Sequence, residues 1–256
     1  MKIAILGAGA FGTALGGVLA EKGYDIDYYD PKLEQERLED VVERAEVIVL
    51  AAPSKAVPHL LPHLPKNKPL IVATKGLLGD KMFANFEDLM VISGPGFAED
   101  IKAGKNTRLT ATDNRAIDMF TTDYLTFDLT DDKNGVLLCG SLKNVYAILA
   151  GILGLKRETA EWMKFIGDTS VEMKKILKLN RAKLNTVDLA CGIGDLKLTC
   201  GYPSRNYEYG DILRKNPEYE PTNTVEGLTA LRKIKRGEIQ IPEDAVILKD
   251  LLARIG

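Results

Sequence analysis

The chain has few of the residues that build metal centres or disulfide frameworks. Its 256 residues include three cysteines, Cys139, Cys191 and Cys200, with no CxxC pair, and two histidines, His59 and His63. An odd, sparse cysteine set fits a reducing compartment and offers no zinc site. His59 and His63 stand four apart, a spacing that can put both on one helical face. Pro58, Pro62 and Pro65 spoil a regular helix there, and no third ligand is evident, so no metal is expected. An excess of one charge is also lacking. The 34 basic and 36 acidic residues leave a formal net charge of -2, which argues against general binding to nucleic acid or to a membrane surface. A local basic pocket for a small anion fits that balance. The sequence shows no signal peptide, no stretch approaching the length of a membrane span, no internal repeat and no low-complexity segment. The cytoplasm is the expected compartment.

What is present is an ordinary soluble-enzyme composition, 45% hydrophobic and 27% charged, in a chain long enough for one large domain or two smaller ones. Strand-like runs at 2–6, 24–30, 46–52 and 70–74 alternate with helical segments, and 90–93 and 108–112 extend the series. A helix runs to about Lys22, and a short one is expected between Pro31 and Arg44. This alternation predicts an α/β fold with a parallel, doubly wound Rossmann sheet. From Gly135 the pattern changes to long helical periods at 135–153, 159–179 and 225–236. The expected division is a dinucleotide-binding domain over 1–134 and a mostly helical domain over 135–256.

Several segments carry chemistry. Gly7, Gly9 and Gly12, with Ala10 and Phe11 between them, match GxGxxG spacing between a buried strand and an apolar helix. The first glycine allows the tight turn, the second lets a pyrophosphate approach the backbone, and the third lets helix and strand pack closely. The helix start then offers free N–H groups to phosphate. Asp30 ends the second strand, where a carboxylate accepts ribose hydroxyls and repels the extra phosphate of NADP; the bland role is a turn before Pro31. NAD is the expected cofactor, with NADP still open. Pro53 and Lys75 follow the third and fourth strands, on the side where such sheets bind ligands, although a lone loop lysine is usually just solvated.

In the helical half, Lys143 and Asn144 interrupt an apolar run. A lysine there needs a charged partner or a lowered pKa, and either condition suits proton transfer to or from a hydroxyl. Asp195 and Thr199 are spaced to share one helical face. Ser204-Arg205-Asn206 reads as a helix cap followed by a guanidinium and backbone donors, an arrangement that suits a phosphate monoester. The same segment is also what an ordinary cap with a surface arginine looks like.

Together these segments resemble the NAD(P)-dependent glycerol-3-phosphate dehydrogenases. The matches are GAGAFGTAL (7–15), AAPS (51–54), TKG (74–76), GPGFAEDI (94–101), GSLKNVYAILAGI (140–152), GIGDLKLTC (192–200), SRN (204–206) and VEGLTA (225–230), in family order along nearly the whole chain. The resemblance implies a Rossmann domain, a helical substrate domain and a cleft between them. It implies hydride exchange between NAD(H) and C2 of dihydroxyacetone phosphate or glycerol 3-phosphate, a small phosphorylated three-carbon substrate that feeds phospholipid synthesis.

By the same resemblance, Lys143 is the catalytic acid/base. Lys75, Asn144, Asp195, Thr199, Ser204, Arg205 and Asn206 lie around the substrate. Gly7, Gly9, Ala10, Phe11, Gly12, Asp30, Pro53, Lys75, Arg205 and Glu226 lie on the cofactor side. A homodimer is left open.

The chain departs from the family pattern in places. It is shorter, chiefly between Asp30 and Glu46 and at the C-terminus, and the loop between Cys200 and Arg205 differs in length and composition. Gly96 replaces a usual serine, and Gly167-Asp168 stands where a threonine-arginine pair is usual. The alternatives are a two-domain reductase of the β-hydroxyacid or ketopantoate type, and a dinucleotide-binding protein that has lost turnover.

Overall fold

In the computed structural model, which describes every residue except 34, 35, 78, 202 and 256, two units separate along the chain. One comprises Met1–Lys75 and Asp80–Lys133, the other Gly76–Gly79 and Asn134–Gly256.

The first unit alternates strand and helix: β1 (Lys2–Leu6), α1 (Ala10–Glu21), β2 (Asp25–Tyr29), α2 (Leu38–Arg44), β3 (Val47–Leu50), α3 (Val57–Leu60), β4 (Leu70–Val72), β5 (Leu89–Ser93), α4 (Ala98–Lys102), β6 (Thr107–Ala111), α5 (Asn114–Phe120) and β7 (Leu125–Leu129). The strands form one seven-stranded sheet in the order β2-β1-β3-β4-β5-β6-β7. Its core strands are apolar at every position because helices cover both faces. β1 and β3 accordingly read Ile-Ala-Ile-Leu and Val-Ile-Val-Leu, and Leu15, Val18 and Leu19 of α1 pack against them.

Expectation and structure differ at the sheet's far side. The strands are not all parallel, since β5 pairs antiparallel with β6 through Ile92–Ala111 and Ser93–Thr110. The chain reverses at Gly94-Pro95-Gly96, with Gly94 at φ +148°. The five-residue α4 that follows is about 7.5 Å long. That is too short to carry the chain back along a strand of about 17 Å for a parallel return. β7, which pairs parallel with β6, lies outside the strand-like runs expected from sequence. Residues 34 and 35 of the expected helical stretch after Pro31 lie outside the described residues; the helix itself is α2.

The second unit is helical: α6 (Lys133–Ile152), α7 (Ala160–Leu179), α8 (Asp195–Thr199), α9 (Arg205–Lys215), α10 (Glu226–Lys235) and α11 (Val246–Arg254). α6 is its axis, with every residue from Gly135 to Gly151 buried. By length and hydropathy this 20-residue helix is apolar enough to cross a membrane, so the expectation that no stretch approaches that length does not hold. The physical reason is burial on all sides: 94% of its most apolar window is covered by the protein itself, and such a core helix is hydrophobic all round. Within the same unit, Ser141 Oγ donates to the Leu77 carbonyl at 2.5 Å, tying the 76–79 segment to α6.

Candidate active site

The candidate residues fall into two groups, one in each unit. In the first, the glycine turn joins β1 to α1. Gly7 has φ +109°, and a Cβ there would lie 2.7 Å from the Ala52 nitrogen. A Cβ at Gly12 would lie 1.9 Å from the Gly7 carbonyl oxygen, so turn, helix and strand meet too closely for any larger residue. Gly9, by contrast, faces open space and holds the N-cap position of α1, where no side chain caps the helix. The first N–H groups of α1, at Ala10 and Phe11, are therefore left for an external acceptor.

Asp30 bonds both to its own turn and to the glycine turn. Its Oδ1 accepts the Lys32 N–H, the turn role, and its Oδ2 accepts the Ala8 N–H at 3.1 Å, which places a carboxylate against the glycine turn. Lys75 Nζ lies 5.1 Å from the Phe11 ring centre and donates to the Gly94 carbonyl at 3.3 Å, so it too sits over the turn. Pro53 is exposed just beyond β3, and Thr74 Oγ1 donates to the Leu50 and Ala52 carbonyls, fixing the two strand ends side by side. His59 is exposed and His63 pairs with Glu39; among the described residues no cluster could hold a metal ion.

In the second unit, Lys143 is 3% exposed and forms an ion pair with the fully buried Asp195 at 2.5 Å. Lys143 Nζ also donates to Thr199 Oγ1 at 3.2 Å, and that hydroxyl donates to Asp195 Oδ1 at 3.3 Å. The i, i+4 spacing thus becomes a closed triangle. α8, which presents Asp195 and Thr199, is preceded by a π-helical turn over Ala190–Gly194, an irregularity common at functional sites. Burial pushes the neighbouring Cys200 thiol far above its ordinary range, although Lys143 and Arg157 pull it down, so the sulfur stays protonated and is no nucleophile.

A second chain of contacts runs beside the first. Asn206 Nδ2 donates to Asn144 Oδ1 at 2.9 Å, and Asn206 Oδ1 accepts the Gly227 N–H at 2.9 Å. This links α6, α9 and the start of α10, where Glu226 is the first residue. The link was not visible from spacing, because its partners are 62 and 21 residues apart.

Ser204 holds the N-cap position of α9 in extended backbone, but its side chain makes no capping hydrogen bond, contrary to expectation. The buried hydroxyl leaves the first-turn N–H groups uncapped, and the Ser204 carbonyl alone enters the helix by accepting from Glu208. Arg205 is exposed at the first position of that helix.

A family model described as the C-terminus of NAD-dependent glycerol-3-phosphate dehydrogenase matches residues 132–248. The glycerol-3-phosphate dehydrogenase [NAD(P)+] of Leptospira biflexa serovar Patoc is 32% identical over 270 residues, covering 84% of this chain and 80% of that protein. The chain belongs to the NAD(P)-dependent glycerol-3-phosphate dehydrogenase family.

Among solved structures, the glycerol-3-phosphate dehydrogenase of Coxiella burnetii superposes with a TM-score of 0.81 at 25% identity, covering 99% of this chain and 94% of that one. The Plasmodium falciparum glycerol-3-phosphate dehydrogenase shares the fold with a TM-score of 0.84 at 16% identity, covering 99% and 91%.

Two departures from the family pattern are accounted for locally. A Cβ at Gly96 would lie 3.2 Å from Leu109 Cδ2 and 3.3 Å from Ile101 Cδ1, so a serine there requires those two side chains to shift by a few tenths of an ångström. Asp168 is exposed on α7 and paired with Lys164 at 2.6 Å, so the reversed charge lies on the surface of its unit.

Proposed function

We propose that this chain catalyses reversible hydride exchange between NAD(H) and C2 of dihydroxyacetone phosphate, forming sn-glycerol 3-phosphate. The observation that carries it is the buried Lys143–Asp195–Thr199 triangle, built from two motifs in family order. The open backbone at Gly9, the uncapped start of α1 and the Asp30 carboxylate fit a dinucleotide. Ala10, Phe11, Gly12, Pro53 and Lys75 line that turn or the strand ends beside it. When bound, the nicotinamide supplies or accepts the hydride.

The chain's own residues do the rest. As the carbonyl is reduced, negative charge develops on its oxygen, and Lys143 as ammonium donates the proton; in the reverse direction the free amine removes it. Asp195, buried and in contact, holds the ammonium in place and balances its charge, while Thr199 fixes the direction of Nζ. Asn144, next to Lys143 in α6, and Asn206 in α9 brace each other. Arg205, with the uncapped N–H groups of α9, anchors the phosphate, and Glu226, the first residue of α10, serves the cofactor. Anchoring of this kind fixes C2 against the reacting groups and contributes about 7–11 kcal/mol to barrier reduction in well-oriented cases.

A role in supplying glycerol 3-phosphate for phospholipids follows from the product. The three cysteines, none of them in a disulfide, support a cytoplasmic setting, and the exposed Met163 and Val171 on α7 support a homodimer.

Arg205→Ala is expected to raise KM for dihydroxyacetone phosphate about 10–100-fold, the loss of a charge-assisted pair, with kcat less affected. An unchanged KM contradicts the anchor. For the cofactor, Asp30→Ala is expected to lower kcat/KM for NADH about 10–100-fold relative to NADPH, as a charged hydrogen bond to ribose is lost. A parent enzyme that already prefers NADPH refutes the assignment of Asp30.

A further inference from the structure

The Asn144–Asn206 pair is tied at both ends to backbone groups of fixed polarity. At one end the Gly227 N–H donates to Asn206 Oδ1 at 2.9 Å. Asn206 Nδ2 then donates to Asn144 Oδ1 at 2.9 Å, and Asn144 Nδ2 donates to the Gly140 carbonyl at 3.1 Å. An amide side chain can be turned either way to suit its neighbours, but a peptide N–H only donates and a peptide carbonyl only accepts. With one of these at each end, a single orientation of both amides makes all three bonds.

Gly227 is the second residue of α10, so its N–H is among those that no carbonyl inside the helix can meet. Val225, at the N-cap, makes no side-chain bond there, and Asn206 supplies the acceptor from α9. Packing holds the same point. A Cβ at Gly227 would fall 2.4 Å from the Asn144 backbone oxygen, so the start of α10 rests directly on the backbone of α6. Asn144 is 4% exposed and Asn206 9%, and each keeps one Nδ2 hydrogen with no acceptor among the described residues. A buried donor without an acceptor is costly, and a bound oxygen removes that cost.

We infer that Gly227 is a positioning residue that sets Asn144 and Asn206 as a pair of donors, and so selects a substrate group that presents oxygens without hydrogens, as a phosphate dianion does. The inference rests on the phosphate-anchoring role proposed above for Arg205, the neighbour of Asn206 on α9. Gly227 itself touches no substrate. With the polarity reversed, the two side chains would offer carbonyl oxygens to the same anion and repel it.

The test uses the full chain, with dihydroxyacetone phosphate and NADH varied separately. Glycolic acid incorporated at position 227 turns the N–H into an ester oxygen and alters no side chain. It is expected to raise KM for dihydroxyacetone phosphate about tenfold, with kcat within about twofold and KM for NADH unchanged. Asn206→Asp still accepts from Gly227 but has no hydrogen to give, and is expected to raise the same KM about 100-fold. Arg205→Ala is measured alongside. If Arg205→Ala raises that KM while the ester leaves it at the parent value, the inference is overturned and the anchor stands. If the ester raises it while Arg205→Ala does not, the anchor fails and the donor pair stands. An equal loss for both substrates in the ester marks general structural damage and overturns the inference. A second readout needs no turnover. In protein labelled with 15N-asparagine, the two side-chain amides are assigned by their absence in Asn144→Asp and Asn206→Asp. Saturating glycerol 3-phosphate is expected to move both amide proton resonances downfield, and resonances indifferent to it overturn the inference.

Discussion

Replacing Lys143 by alanine is expected to cut turnover about 10²–10⁴-fold, the range for a positioned acid or base, with little change in either KM. The expectation rests on where Nζ lies: 2.5 Å from a fully buried carboxylate and 3.2 Å from a hydroxyl, so its direction is set before substrate arrives. The substitution carries a confounding stability cost. Asp195 would be left as a buried charge without its cation, a loss of about 3–5 kcal/mol in comparable pairs.

A second variant separates the two effects. Lys143→Met combined with Asp195→Leu removes both charges and refills the volume, a replacement that is often neutral or stabilising by about 1–4 kcal/mol. The double variant is expected to regain the thermal midpoint and to stay inactive. Steady-state kinetics and a melting curve on both proteins decide the matter. Near-normal turnover in Lys143→Ala removes the lysine from the mechanism. Recovery of activity in the double variant shows that the loss was one of folding.

The parts of this site that were legible in the sequence are those whose signal is local. The glycine turn is a contiguous pattern between a strand and a helix, and Asp195 and Thr199 meet because four residues make one helical turn. Lys143 stood out because α6 is otherwise apolar, and the same burial that marks the lysine makes the helix resemble a membrane span. What escaped depends on partners far apart in the chain or on how the chain turns. The direction of β6 is decided by the reversal at Gly94 and the brevity of α4, neither of which alters the composition of the strand. β7, Leu-Thr-Phe-Asp-Leu, is a half-exposed edge strand whose weak pattern becomes clear only when paired with β6. Ser204 occupies the N-cap position that its residue type predicts, but a hydroxyl's direction is set by packing, and here it turns inward.

Glu172 is the furthest case of this kind, and its removal is expected to be strongly destabilising. It lies on α7 and is 5% exposed, where a carboxylate would be costly without partners. Three donors meet it. Tyr146 Oη, on α6, donates to Oε1 at 2.9 Å, and the N–H groups of Ile247 and Leu248 donate to Oε2 and Oε1 at 2.9 Å each. The carboxylate therefore closes the N-terminus of α11 from 75 residues away, supplying the cap that Ala245 cannot. Burial first, and then the Glu172 charge, drive the Tyr146 hydroxyl well above its ordinary value, so it remains a donor over the whole working range.

Glu172→Ala leaves two helix N–H groups and a buried hydroxyl without their acceptor. The expected cost is about 2–4 kcal/mol, from unsatisfied groups worth about 1–3 kcal/mol each and partly relieved by fraying of α11. Glu172→Gln keeps the shape and one acceptor oxygen but turns an amide donor toward a backbone donor, so it is expected to recover only part of the loss. Denaturant midpoints measure the total, and hydrogen exchange locates it: protection is expected to fall first at Leu248 and Leu251 in α11. A midpoint for Glu172→Ala equal to the parent's would mean that α11 holds its place by apolar packing alone and that the carboxylate adds nothing to it.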